Sequence, residues 1–178
     1  MTEDDTEGSA VEQCLIVWNC LVAKWLRRRH ARYIETAARE GCRLPAIAVR
    51  ETGDPRGRGV FALRDFGKGE CVEVCPVVPV ATDHERLPVE LRRRVFDWLA
   101  HAGGPEPCAI ALGYGSLYNH ANPATLRYLA DGPRRCLLFV AARRISTGEE
   151  LTINYNRTMG GPRSLRDDWF EANSLQPL

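Results

Sequence analysis

A chain of 178 residues has room for one domain and a short appendage, and its 44% apolar content is enough for one core. A net charge of +1 argues against a protein that binds nucleic acid by bulk electrostatics. The seven cysteines, at 14, 20, 42, 71, 75, 108 and 136, form no Cys-x-x-Cys or Cys-x-Cys pair, so no metal site is expected. An odd thiol number and an acidic start predict an intracellular protein, cytoplasmic or nuclear, with reduced thiols and no secretory signal. No apolar run approaches the ~20 residues of a membrane span.

In chain order, residues 1–9 are polar and read as disordered, and 10–44 read as an N-terminal helical extension. Val11, Cys14, Leu15, Trp18, Val22, Trp25 and Leu26 recur at helical spacing up to a stop at Gly41. The stripe fits packing on the domain's own body, a partner or a homodimer, or a membrane surface with Arg27, Arg28 and Arg29 at the headgroups. The pattern leaves these open. A short strand is expected over Ala46–Arg50, a turn-rich loop over Gly53–Gly59, and a strand over Val60–Leu63. Glu70–Val80 reads as a strand broken by Pro76 and Pro79. Pro88–His101 reads as a helix with Leu91, Val95, Trp98 and Leu99 on one face and Gly103-Gly104 at its end. Strands are then expected over Ala109–Tyr118, Leu126–Leu129, Cys136–Ala142 and Glu150–Tyr155. Many short strands and few helices predict a mainly β architecture of small sheets.

Three blocks carry the chemistry: Arg56-Gly-Arg-Gly-Val-Phe-Ala62, Gly113-Tyr-Gly-Ser-Leu-Tyr-Asn-His120 and Gly148-Glu-Glu-Leu-Thr-Ile-Asn-Tyr155. Taken singly, each fits an ordinary turn or strand. The first is no dinucleotide fingerprint, because no helix follows to receive a pyrophosphate. Its glycines let backbone approach a ligand closely, and its arginines suit a carboxylate.

Together and in this order the blocks resemble the SET-domain protein lysine methyltransferases, over Pro45 to Asn156. The resemblance reads most closely to the small, minimal members, such as the viral ones. It implies a SET domain over 45–156 with a C-terminal pseudoknot and a variable, substrate-selecting insert at about 77–107. The tail, 157–178, lacks the zinc-binding cysteines of many relatives. The implied cofactor is S-adenosylmethionine, held by Arg56, Gly57, Arg58, Gly59, Asn119 and His120. Trp169 and Phe170 are candidates to cover it, or a helix docked on the core. Tyr155 matches the catalytic tyrosine, and Tyr114 is a second catalytic candidate. Strand alternation would put Tyr114 and Tyr118 on one face, and Tyr118, Ile153 and Trp98 are candidates for the substrate channel. Ala121 and Ala124 depart from the usual Ser and Asn after Asn-His, and Cys75 stands where many relatives have a tyrosine.

The implied reaction is methyl transfer to the ε-amine of a lysine in a protein, a histone or another. A neutral amine must be aligned with a sulfonium methyl, which needs positioning and an apolar channel but neither metal nor acidic dyad. Two other classes fit the same residues: a SET-like module that binds protein without catalysis, and a platform for the N-terminal helix.

Overall fold

The computed structural model describes residues 45–156 and 159–172. The helix expected over 10–40 and the disorder expected over 1–9 lie outside them. The described chain is mainly β, as expected, in two sheets. Strands β1 (Ile47–Glu51), β2 (Arg58–Ala62), β9 (Glu150–Ile153) and β6 (Asn119–His120) form one, in the order β1-β2-β9-β6. Strands β4 (Val95–Asp97), β5 (Cys108–Ala111), β3 (Cys71–Val80), β8 (Cys136–Ala141) and β7 (Leu126–Asp131) form the other, in the order β4-β5-β3-β8-β7. Three short helices complete it: α1 (Val89–Arg92), α2 (Trp98–Ala102) and α3 (Asp168–Ala172). None of the described helices is long and apolar enough to cross a membrane.

One core joins the sheets. Val60, Leu151 and Ile153 from the first pack with Val77, Phe96, Leu137 and Phe139 from the second, all below a tenth exposed. Burying side chains of this size stabilises by roughly 1.5–3 kcal/mol each. Phe96 anchors the β4 corner by edge-to-face contacts with Tyr128 (5.2 Å) and Phe139 (6.2 Å).

Three expected elements differ. The strand over 70–80 is not broken: β3 runs through both prolines, because it changes partner there. Cys71 to Pro76 pair with β8 and Val77 to Val80 with β5, so each half has a side where a missing N–H costs nothing. The single helix over 88–101 is instead α1, β4 and α2. Val95, Phe96 and Asp97 pair with Ile110, Ala109 and Cys108, and the buried set is Phe96 and Trp98, a period of two. The predicted helical face is open, with Leu91 41% and Leu99 54% exposed. Helix α2 does end at Gly103, in the left-handed region at φ 68°, and starts on an Asp97 cap accepting from Ala100 N at 2.9 Å. The strand over 109–118 stops at Ala111, and Gly113 (φ 71°) turns the chain into a 3₁₀ turn at Gly115–Leu117.

The C-terminal chain locks the fold. Strand β9 runs antiparallel to β2 and parallel to β6. The β6–β7 connection is then held twice. Ala121 N donates to Ile153 O (3.1 Å), and Thr125 and Thr152 exchange backbone-to-hydroxyl bonds at 3.1 and 2.7 Å. On its way back the chain receives Ala124 N at Pro162 O (2.8 Å) and Tyr128 N at Gly160 O (3.0 Å). These are the contacts of the knot-like crossing implied by the resemblance, made without the Ser and Asn that Ala121 and Ala124 replace.

Candidate active site

Tyr155 follows β9 and lines a cleft of about 550 Å³. Its backbone N donates to His120 Nδ1 (3.1 Å), and its hydroxyl donates to the carbonyl of Tyr118 (2.6 Å). Because Nδ1 is the acceptor, the His120 ring carries its proton on Nε2. Burial holds His120 below its ordinary pKa, with Asp167 opposing, so the imidazole stays neutral. Burial also pushes the Tyr155 phenol up to about 12, moderated by the Arg94 charge, so the hydroxyl keeps its proton at neutral pH.

Aromatic rings fix the Tyr155 side chain. Trp169 meets it edge to face at 4.8 Å, Phe170 lies parallel to it at 6.3 Å, and His120 is tilted against it at 5.4 Å. Phe170 in turn packs edge-on against His120 at 4.6 Å. The rings arrive on α3, which is only five residues long and cannot stand alone. Three asparagines anchor the segment before it. Asn156, 2% exposed, donates to Ser164 Oγ (2.9 Å) and Asp167 Oδ1 (3.2 Å) and accepts from Trp169 N (3.0 Å). Asn154 donates to the same Ser164 hydroxyl at 3.1 Å, and Asn122 exchanges bonds with the Ser164 backbone. Helix α3 is docked on the core through Phe170, and Trp169 also lines the cleft.

The glycine loop lies at the β1–β2 end. Thr52 closes it, its N and Oγ1 both donating to Gly57 O (2.7 and 2.6 Å), and Gly57 has φ 76°. A Cβ at Gly59 would strike the Glu150 carboxylate and crowd Asn119 Nδ2 at 3.0 Å, so a side chain there would displace both from their partners. Arg56 is bound on both sides, to Asp54 at 2.5 Å and Glu150 at 3.0 Å. The Arg56 guanidinium holds the Asp54 carboxyl well below the usual range. The other Glu150 oxygen accepts from Asn119 Nδ2 (2.8 Å), which also donates to Arg58 O (3.1 Å). Glu150 thus ties β6 to the loop. Among the described residues Arg58 makes no ion pair.

The remaining candidates separate. Ile153, 3% exposed, lines the cleft from β9. Tyr118 contributes its carbonyl and lines the cleft, but its hydroxyl points into the core, donating to Glu73 Oε2 at 2.7 Å. Tyr114 does not share a strand face with it, because the chain there is a 3₁₀ turn; its ring is half-buried against the core and is not among the cleft residues. Trp98 is 2% exposed inside the core and does not line the cleft either. The segment from α1 to β4 also lines the cleft, with Arg92, Arg93, Arg94 and Asp97. Glu73, Glu150, Asn154, Asn156 and Ser164 were not anticipated. Of these, Glu150 and Asn154 sat inside the third block, where adjacency to the motif was the available signal. Among the described residues no three His, Cys, Asp or Glu side chains converge on a metal position.

The SET-domain family model matches residues 57–156. The histone-lysine N-methyltransferase of Schizosaccharomyces pombe described as specific for H3 lysine 37 is 31% identical over 143 residues, covering 76% of this chain and 90% of that protein. The crystal structure of a candidate histone methyltransferase of Plasmodium falciparum superposes with a TM-score of 0.51 at 23% identity, covering 65% of this chain and 97% of that one. On the family match and that identity, the chain belongs to the SET-domain family of protein lysine methyltransferases.

Proposed function

We propose that this protein transfers a methyl group from S-adenosylmethionine to the ε-amine of a lysine in a protein substrate, a histone being the first class to try. The observation that carries the reading is the Tyr155 hydroxyl, held on the Tyr118 carbonyl at 2.6 Å among three rings at a cleft. The bound cofactor supplies an electrophilic methyl on a positive sulfur.

The residues present fit that group. Gly57, in a left-handed conformation, has no atom within 4 Å of where a Cβ would stand, which leaves open space for a ligand against the backbone. Arg58 offers a guanidinium that pairs with no carboxylate among the described residues, suited to the cofactor's own carboxylate. Arg56, already bound to Asp54 and Glu150, shapes the loop instead of meeting the ligand's charge. His120 and Asn119 place their strand beside the same loop.

On the substrate side, Tyr155, Ile153 and Trp169 form apolar walls that disfavour an ammonium and favour the neutral amine. Arg94, whose charge acts on the Tyr155 hydroxyl, favours the neutral amine too, against the cleft carboxylates Asp97 and Asp168. The phenol oxygen of Tyr155 and the carbonyl of Tyr118 are oxygen acceptors for weak C–H contacts that orient the reacting carbon. Each such contact is small, and their value lies in being fixed beforehand. Residues 77–107, part of which line the cleft from Asp83 to Pro107, choose the substrate. The test is transfer of labelled methyl from S-adenosylmethionine into a histone mixture and a cell lysate, with cofactor binding followed by calorimetry. Label in a protein band with measurable binding is expected; absence of both overturns the reading.

A further inference from the structure

We propose that Glu73 is a positioning residue of this site: through the Tyr118 hydroxyl and the Tyr114 amide its carboxylate holds the turn whose carbonyl receives the Tyr155 hydroxyl. The inference rests on the methyltransferase reading for its kinetic consequence, but its geometry stands apart from it.

Glu73 lies on β3 and is 8% exposed, and among the described residues no cation pairs with it. A carboxylate withdrawn from water without a counter-charge is costly, so a strand interior ordinarily carries an apolar residue there. Its two oxygens are both used. Tyr118 Oη donates to Oε2 at 2.7 Å and Tyr114 N donates to Oε1 at 3.0 Å. The two donors stand at the two ends of the same turn, which closes on itself with Leu117 N donating to Tyr114 O at 2.8 Å. One side chain therefore clamps the whole segment 114–118 to β3.

Two further features serve the clamp. The β3–β8 register shifts between Cys71 and Glu73, and this irregularity buries the consecutive residues Val72 and Glu73 where regular alternation would expose one of them. The turn is also seated too closely for side chains. A Cβ on Gly113 would lie 2.6 Å from Glu73 Oε1, and one on Gly115 would lie 2.6 Å from Ala111 Cβ and 2.9 Å from Cys75 Sγ. From the cleft side the turn is braced by Arg94, whose Nη1 donates to Ser116 O (3.1 Å) and whose carbonyl accepts from Ser116 Oγ (2.9 Å). The Tyr118 carbonyl is thus fixed from below by Glu73 and from the side by Arg94, and it is this carbonyl that aims Tyr155.

The experiment compares the full chain with Glu73→Gln and with the double variant Glu73→Leu/Tyr118→Phe. The double variant removes the carboxylate and the phenol together and leaves only the Tyr114 N–H without its acceptor, so it is expected to fold with a melting temperature only a few degrees below wild type. Without the clamp on Tyr114, kcat is expected to fall about 10- to 100-fold while the cofactor Kd stays within about twofold. A residue that serves folding alone would let kcat recover with the melting temperature, and a folded double variant with wild-type kcat overturns the proposal. The crystal structure of the same variant decides it without activity: Tyr155 Oη is expected to leave the Tyr118 carbonyl, and a retained 2.6 Å bond contradicts the clamp. A wild type that transfers no methyl counts against the methyltransferase reading, and the structural comparison still decides the role of Glu73.

Discussion

Asn156→Ala should release helix α3 while leaving the β core intact. Asn156 is 2% exposed and its side chain makes three hydrogen bonds, to Ser164 Oγ, Asp167 Oδ1 and the Trp169 amide. At about 1 kcal/mol net for each, their loss weakens the attachment by roughly 3 kcal/mol. That corresponds to roughly a 100-fold rise in the population with α3 detached. What remains is the ring packing of Trp169 and Phe170 on Tyr155 and His120, worth about 0.5–1.5 kcal/mol per pair beyond area. Helix α3 should therefore detach often yet still redock. Amide hydrogen exchange reads this directly. The Trp169 amide should lose roughly 100-fold of its protection, while β7 and β8 amides such as that of Phe139 keep theirs. Unchanged protection at Trp169 would refute the anchoring role. An equal loss at Phe139 would show that Asn156 supports the whole domain instead.

Gly115→Ala should destabilise by about 1–3 kcal/mol in chemical denaturation, because its Cβ would press on Ala111, Cys75 and the Phe139 ring within 3.1 Å. A neutral effect would mean that the turn yields. Asp97→Ala removes the α2 cap and should cost about 1 kcal/mol in the same assay. The melting temperature should be flat near neutrality and fall at alkaline pH. Burial pushes Cys71 and Cys136 up to about 11 and Tyr155 to about 12, so above pH 9 the unfolded chain loses protons that the folded chain retains. Stability is then full below pH 9 and declines through these values. With only Lys24 and Lys68 in the chain, lysine titration adds little to the effect. On the acid side, burial depresses His101 and His120, so stability falls as pH drops below about 6.5 and the unfolded chain takes up protons first. A melting temperature that rises between pH 9 and 11 would contradict the burial argument.

What the sequence made legible follows from the range of each interaction. Arg56, Gly59, Asn119, His120 and Tyr155 sit in short contiguous blocks, and β1, β2 and β9 were placed to within about two residues, whereas β6, which carries Asn119 and His120, was not expected as a strand. The helix expected over 88–101 failed because Leu91, Val95, Trp98 and Leu99 keep helical spacing by coincidence, while pairing of Val95–Asp97 with β5 selects Phe96 and Trp98 for burial. The strand over 109–118 failed at Gly113, whose positive φ ends the alternation that had put Tyr114 beside Tyr118. Glu73 and Asn156 were not legible, because their partners lie at Tyr118 and at Ser164 and Trp169, and nothing local reports those contacts. The Thr125–Thr152 exchange was not legible either, because the two residues are 27 apart in sequence and meet only in the folded chain.

The central claim concerns the Tyr155 hydroxyl, and one comparison tests it most directly. Methyl transfer from S-adenosylmethionine is measured for wild type and Tyr155→Phe, with cofactor affinity taken on the same samples. The ring and its contacts with Trp169 and Phe170 survive the substitution, so cofactor binding should stay within about twofold while transfer falls about 100-fold. Transfer at the wild-type rate by the folded Tyr155→Phe protein would contradict the account.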